Sequence, residues 1–545
     1  MQESSHWRNL QSVVAAIVAA LLGAGMLIGA GERVRGLLVA SSMVVGGSLL
    51  VAMPPGVVLG FLLAKTHALG RRWAAWLLVA LAFLPLYLHA AAWQAALGQL
   101  GWWTQGTAGS GPVDPLLSGV AGVAWVHGLA AAPWVALITA AALMAVDRSQ
   151  EEAALLDAAP LTVLARLTLR HVTAGAGVAA LWVAVTVAAE MTVTDLLRVR
   201  TFAEEIYTQA ASGLFDRGSD TPSTLAPLGL ASGVLLLATG AAMAIRAVGG
   251  WLVAGEGDGG QRRWRLPGSA ALMTLLLWLP MVLLVAVPIA NLAFQAGVTV
   301  ERTDEGWLRG WSAWRLASAV TSAPWQHRRD LWLTAQLGVA VATTATIIGG
   351  AVAWRLRGAR RTPWLAASLL ALCLVIPGPL LGVLTIRLLN HPWDSPLAWL
   401  TWLYDHTLLA PWLVQTIRAA PIATLVLWPA WSSISPATLA AARSDGASRL
   451  NVIARVAAPL RWRSLATAWL AALAVSIAEL PATLLVLPPG PSTLTVRVFS
   501  LLHYGVDGRV AGIGLCLFGF FLAVACLAAC VSPRNGTRTS TSGSG

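Results

Sequence analysis

Two glutamates stand where an apolar chain can least hold them. Glu190 and Glu479 each follow an uncharged run of helix length. A charge at the centre of a bilayer costs roughly 2.5–3.5 kcal/mol on insertion scales, so an acid there either serves a pathway or is compensated. The functional expectation is that Glu190 and Glu479 line a translocation pathway with Arg418, setting a gate or favouring a cation. The structural alternative pairs each acid with an arginine such as Arg198 or Arg418, or seats it where a helix meets water. Arg418 would then close a helix end. Other chemistry finds no support. Lys65-Thr66 is preceded by Ala64, so no phosphate-cradling Gly-x4-Gly-Lys-Ser/Thr loop exists. The nine histidines contain no His-Glu-x-x-His. The four cysteines lie in apolar runs with neither disulfide nor zinc spacing. No catalytic residue, metal site or bound cofactor is expected on this chain.

The elements that must position these acids are membrane spans. Of 545 residues, 57% are hydrophobic and 11% charged, against about 25% charged in soluble domains. With a mean hydropathy of +0.71, this excludes a soluble enzyme, a disordered chain or a nucleic-acid binder. Stretches free of Asp, Glu, Lys and Arg run 9–31, 36–64, 73–113, 115–146, 171–189, 221–245, 266–300, 331–354, 362–386, 419–442, 464–478, 480–496 and 510–533. Residues 99–113 read as loop, and runs are joined across Arg418 and Glu479. About twelve spans result, in an all-α polytopic fold, six on each side of 250–266. Eleven or thirteen stay open, because 190–200 and 480–490 are short. The first run lacks a cleavage site followed by a polar mature domain, so it reads as a span.

The net charge of +12 is almost all arginine, Lys65 being the one lysine. Basic residues gather at Lys65, Arg71 and Arg72, at Arg262, Arg263 and Arg265, and at Arg355, Arg357, Arg360 and Arg361. Segments 99–116 and 390–406 hold none. The bias of basic residues to the cytoplasmic side places both termini in the cytoplasm, although 301–329 carries arginines on the outer side.

Four correspondences share one offset of 289 residues: Arg71 with Arg360, Asp157 with Gly446, Arg170 with Pro459, and Glu190 with Glu479. Six spans separate the copies, so both start on the same side. That describes parallel repeats related by an axis along the membrane normal, with a pathway between them. Residues 1–249 and 267–533 are the expected halves, 250–266 a cytoplasmic linker, and 534–545 a disordered tail.

Two segments in this register, 147–172 and 433–462, pair an Ala-rich helix with a turn and an amphipathic helix. Gly446 suits a left-handed helix cap, and Pro459 ends the second helix. They resemble the EAA loop of ABC importer permeases, E-A-A-x3-G-x9-I-x-L-P. Gly446 and Pro459 fall on that family's Gly and Pro, and its Glu falls on Ala440. In the first loop Glu151 falls on the Glu, Asp157 on the Gly and Arg170 on the Pro. A shift by one residue would use Glu152. The resemblance implies a coupling helix at each loop, docking on an ABC ATPase subunit present in two copies that carries the ATP and Mg. A periplasmic substrate-binding protein would be the other partner, and the bacterial inner membrane the location.

Ala478-Glu479-Leu-Pro-Ala-Thr-Leu-Leu-Val, then Pro488-Pro489-Gly490 and Thr493-Leu-Thr-Val-Arg-Val-Phe, is similar to the second half of fused ferric-iron permeases. Ala189-Glu190-Met-Thr-Val-Thr-Asp195 with Thr201-Phe202-Ala-Glu-Glu-Ile-Tyr207 is its counterpart, and Arg418-Ala-Ala-Pro421 resembles an Arg-x-x-Pro element of that group. Thiamine and aminoethylphosphonate importers share the fused layout and stand as alternatives. A proton-coupled secondary transporter, also built of two parallel six-helix halves, is the rival class. Its loop after helix 2 would match Gly70-Arg71-Arg72, but His67 stands at its aspartate and Leu63 at its leading glycine.

Overall fold

The computed structural model describes residues 32–212 except 100 and 108–114, most of 238–251, then 262–264, 270–358 except 304–305, and 363–531 except 491 and 507. The expected span at 9–31, residues 221–237 of the expected span at 221–245, much of the linker, Arg265, Arg360, Arg361 and the tail lie outside the described residues.

The chain is a helical membrane protein. Seven described helices are long and apolar enough to cross a bilayer, and two bent pairs bring the number to nine. In chain order the first set is α1 (Glu32–Lys65), α2 (Arg71–Ala82), α3 (Leu86–Leu97), α4 (Gly119–Met144), α5 (Arg148–Asp157), α6 (Pro160–Ala188), α7 (Thr192–Leu196) and α8 (Phe202–Ala211). There follow α9 (Ala270–Gly297), β1 (Val298–Thr303), β2 (Gly306–Trp311), α10 (Ala313–Gln326), α11 (Arg328–Leu356), α12 (Trp364–Val375), α13 (Gly378–Leu389) and α14 (Ala398–His406). The last are α15 (Leu409–Ser432), α16 (Pro436–Ser444), α17 (residues 449–460), α18 (Trp462–Ala478), α19 (Thr483–Val486), α20 (Leu494–Leu502) and α21 (Gly508–Val531).

The described fold is all-α as expected, and three details differ from the expectation. First, a short antiparallel hairpin of β1 and β2 joins two helices, Val298 opposite Trp311 and Thr303 opposite Gly306. The β-branched Val298, Thr299 and Val300 favour extended backbone once α9 ends. The Ser312 amide donates to the Gly297 carbonyl at 2.9 Å and ties the hairpin to α9. Second, 464–496 is not one span. The helix stops at Ala478, Glu479 is extended (φ −70°, ψ 123°), and α19 begins four residues on. Pro481 has no amide proton to donate and biases Leu480 away from helical backbone. Third, α15 runs across Arg418 as expected but ends at Ser432, so 436–444 is a separate helix.

The 289-residue register reappears in the elements. The π turn of α6 spans Leu164–Thr168 and that of α17 spans Val452–Ala457, so both end at equivalent residues. The two bent pairs, α2–α3 and α12–α13, turn by 98° and 97°. Gly60 and Gly349 are register partners, each at a close helix–helix approach. A Cβ at Gly60 would lie 2.6 Å from the Ala136 carbonyl on α4. One at Gly349 would lie 2.8 Å from Ala423 Cβ on α15. Only glycine lets these backbones approach so closely, which is how apolar helices gain contact in lipid.

Helices far apart in sequence interlock: α9 and α21 pack on α2 and α3, in a core that unites Leu78, Leu88, Leu292 and Phe521. At one end Trp278 Nε1 donates to the Leu69 carbonyl (3.1 Å), and the Leu69 amide donates to Thr274 Oγ1 (3.0 Å). Ala242 and Ile245 likewise pack with Ala367, Leu370 and Val375 of α12.

Candidate functional site

The first corner is built where α1 ends. Lys65 Nζ donates to both Glu151 oxygens, at 2.9 and 3.0 Å, and Thr168 Oγ1 donates to Oε1 at 2.9 Å. Lys65 and Glu151 are fully buried. Asp147 caps α5 by accepting from the Ser149 amide, and one turn on Glu151 points inward. Glu152 lies outside, paired with Arg148 at 2.7 Å. Of the two candidate registers, Glu151 is therefore the buried one. Asp157 is the exposed last residue of α5; Ala158 and Ala159 are extended, and Pro160 starts α6. Pro fits there because a first-turn amide has no helical acceptor. Arg170 is exposed within α6, which runs without a break from Pro160 into the span.

The second corner has the same outline and different chemistry. Lys65, Glu151 and Thr168 have register partners Trp354, Ala440 and Ala457. Trp354 meets Trp431 edge-on at 5.6 Å, and Trp428 Nε1 donates to the Leu356 carbonyl at 3.0 Å. Leu427, Ile434, Leu439 and Val452 complete an apolar cluster. Here α16 ends in a Schellman turn: Ala447 donates to the Ala442 carbonyl (3.1 Å), Gly446 to that of Arg443 (3.0 Å), and Gly446 has φ +82°. Exposed Pro459 sits one residue before α17 ends at Leu460, and Arg461 separates α17 from α18.

The two acids sit at helix breaks. Glu190 accepts from the Thr192 amide at 2.7 Å and that of Val193 at 3.3 Å, capping α7. Glu479 accepts from the Ala482 and Thr483 amides, both at 3.0 Å, and from the Thr483 hydroxyl, capping α19. Carboxylates suit these places because first-turn amides carry a helix's positive end. Among the described residues neither acid pairs with an arginine. Arg418 donates instead to the carbonyls of Cys373, Leu374 and Ile376, closing α12 at its bend.

Arg418 and Glu479 nevertheless line one cavity of about 240 Å³. The first half contributes Phe83, Trp134 and Trp182, and the second adds Ile422 and Val475. Glu190 is not among its lining residues. Its neighbour is His127, whose Nε2 lies 3.6 Å from Oε2. The Nε2 atoms of His89 and His127 are buried without a hydrogen-bond partner. The sequence reading passed over both histidines. The signal was present: each interrupts an apolar run, and an ionisable side chain inside a span is a functional candidate by default. Among the described residues no cluster of His, Cys, Asp and Glu has the geometry to hold a metal ion.

No family model matches the chain, and no curated protein is similar to it in sequence.

Proposed function

We propose that this chain is the membrane-spanning permease subunit of a bacterial ABC importer, with two fused halves. The observation that carries the reading is the pair of helix–turn–helix corners at a 289-residue offset, which adds π turns ending at equivalent residues to the EAA-like pattern. In this reading α5 and α16 are the coupling helices that meet two copies of a separate ATPase in the cytoplasm. Lys65 and Thr168 hold Glu151 so that α5 moves with α1 and α6. The Schellman turn at Gly446 aims α16. A periplasmic binding protein delivers solute to the outer face, and ATP-driven closure biases the helices between two access states.

Ferric iron is the substrate we infer, from the Glu-Leu-Pro-Ala-Thr segment at Glu479, with thiamine and aminoethylphosphonate as alternatives. Glu479 and Arg418 bring charge to a cavity shared by both halves, where a passing solute would meet them. The chain would be tagged and purified from its native membranes, and its partners identified by mass spectrometry. Two copies of an ABC ATPase per chain are expected. Recovery of a functional chain without any ATPase, together with solute uptake driven by a proton gradient, would replace this reading with the secondary-transporter class. Uptake of ferric complexes, thiamine and aminoethylphosphonate into proteoliposomes holding the assembled complex then ranks the substrates.

A further inference from the structure

Four arginines converge at the second corner, and among the described residues no acid answers them. Arg355 and Arg357 come from the end of α11, Arg443 from α16 and Arg449 from the start of α17. With Trp354 they line a cavity of about 410 Å³. No carboxylate lines it, and none of these arginines has an ion-pair partner among the described residues.

The cavity is prepared for an anion. Arg357 sits over the Trp354 ring, its guanidinium carbon 3.7 Å from the ring centroid, which holds it in place before any ligand arrives. Its Nη1 is buried and makes no hydrogen bond. Burial and the nearby charge of Arg443 pull the Arg357 pKa down from its ordinary value. An unbonded guanidinium nitrogen beside like charges is costly unless an anion joins it. The first corner has no such feature: Ala68, Ala154 and Pro160 stand at the register positions of Arg357, Arg443 and Arg449.

We propose that this pocket binds a phosphate-class oxyanion, carried by an anionic lipid headgroup or free in solution. Several guanidinium forks meet the oxygens of one phosphoryl group better than ammonium groups would, and basic pockets at the ends of spanning helices suit anionic headgroups. Binding ties α16 to the end of α11 and α17 through one shared ligand. The site stands whether or not the chain is an importer.

The purified full-length chain in a non-ionic detergent would be titrated with inorganic phosphate at constant ionic strength. Separate titrations would use short-chain phosphatidylglycerol and, as control, phosphatidylcholine. Bound ligand is counted by native mass spectrometry. Saturable binding of phosphatidylglycerol alone assigns a lipid headgroup, and binding of phosphate alone assigns a soluble anion. Either supports the site if affinity falls about tenfold or more per arginine in Arg357→Gln and Arg443→Gln. Arg443 is exposed on α16, so its variant tests the site without disturbing the Arg357–Trp354 contact. Arg166→Gln, on the first-half helix outside the pocket, should leave binding unchanged. Equal binding by wild type and both pocket variants, or no saturable anion binding by folded wild type, overturns the proposal.

Discussion

At the end of α1 a lysine and a glutamate are sealed from solvent with a threonine; at the matching end of α11 a tryptophan leans on another tryptophan. The outlines agree closely enough for the π turns to finish in register. One helix–turn–helix shape thus tolerates an ionic anchor or an apolar one. The ionic anchor selects geometry, because each charge has one satisfactory partner. The apolar anchor needs only volume, which leaves position 440 free to be alanine and the nearby arginines free of internal acids. Desolvating two ions consumes much of their attraction, so the ionic corner need not be the more stable one.

This comparison is most sharply broken at Lys65. Lys65→Met strands the Glu151 carboxylate in a closed interior and should cost about 3–5 kcal/mol. Lys65→Met with Glu151→Leu, which imitates the apolar corner, should return most of that loss. Thermal unfolding in detergent measures both; a double variant no better than the single would show that the corners are not interchangeable. Gly446 comes next. Valine at φ +82° should cost ~1–2 kcal/mol from backbone strain alone, since a Cβ there meets nothing within 4 Å. The loss should fall on ATPase co-purification more than on membrane insertion. Equal co-purification by wild type and Gly446→Val would remove the turn from coupling.

The acids offer a smaller contrast. Glu479→Leu and Glu190→Leu should each lose about 1 kcal/mol with the helix cap. Only Glu479 lines the shared cavity, so Glu479→Gln should lower transport per folded molecule more than Glu190→Gln does. Identical specific activities would take the cavity out of the pathway. The smallest effect concerns the contact between α7 and the end of α20, where His503 Nε2 meets Asp195 Oδ2 at 3.0 Å. The hydrogen bond to Asp195 raises the His503 pKa above its ordinary 6.5. This contact therefore helps most below pH 6.5 and is lost as pH rises through the raised value. Hydrogen-exchange protection at residues 195–205, taken relative to the intrinsic rate at each pH, should fall over that rise in wild type and not in His503→Gln. A profile unchanged by the substitution would assign the pH dependence elsewhere.

Much of this architecture is written in the chain. Apolar runs located most described spans, and the shared offset located both corners and both acids. Gly446 was legible because a left-handed cap leaves a local signature. What escaped depended on distant partners. The roles of Glu151 and Glu152 differ by one helical step, and only the arrival of Lys65 and Thr168 from other helices separates them. The break after Ala478 was signalled by Pro481, yet an apolar run on each side hid it. The acids read as bare charges because capping is satisfied by backbone amides, which every residue except proline carries. His89 and His127 were visible as interruptions, but the approach of His127 to Glu190 needed the packing of α4 against the end of α6.

The interlocking of helices far apart in sequence has a consequence for how the protein is made. The faces of α2 and α3 that receive α21 are synthesised early, and their partner leaves the ribosome much later. Until then those faces must rest against lipid, the translocon or a temporary neighbour. Two separately expressed half-chains would each lack part of their own core, so complementation should require that both be inserted together. Truncation before α21 would then injure the early helices α2 and α3 as well as the later ones it packs on.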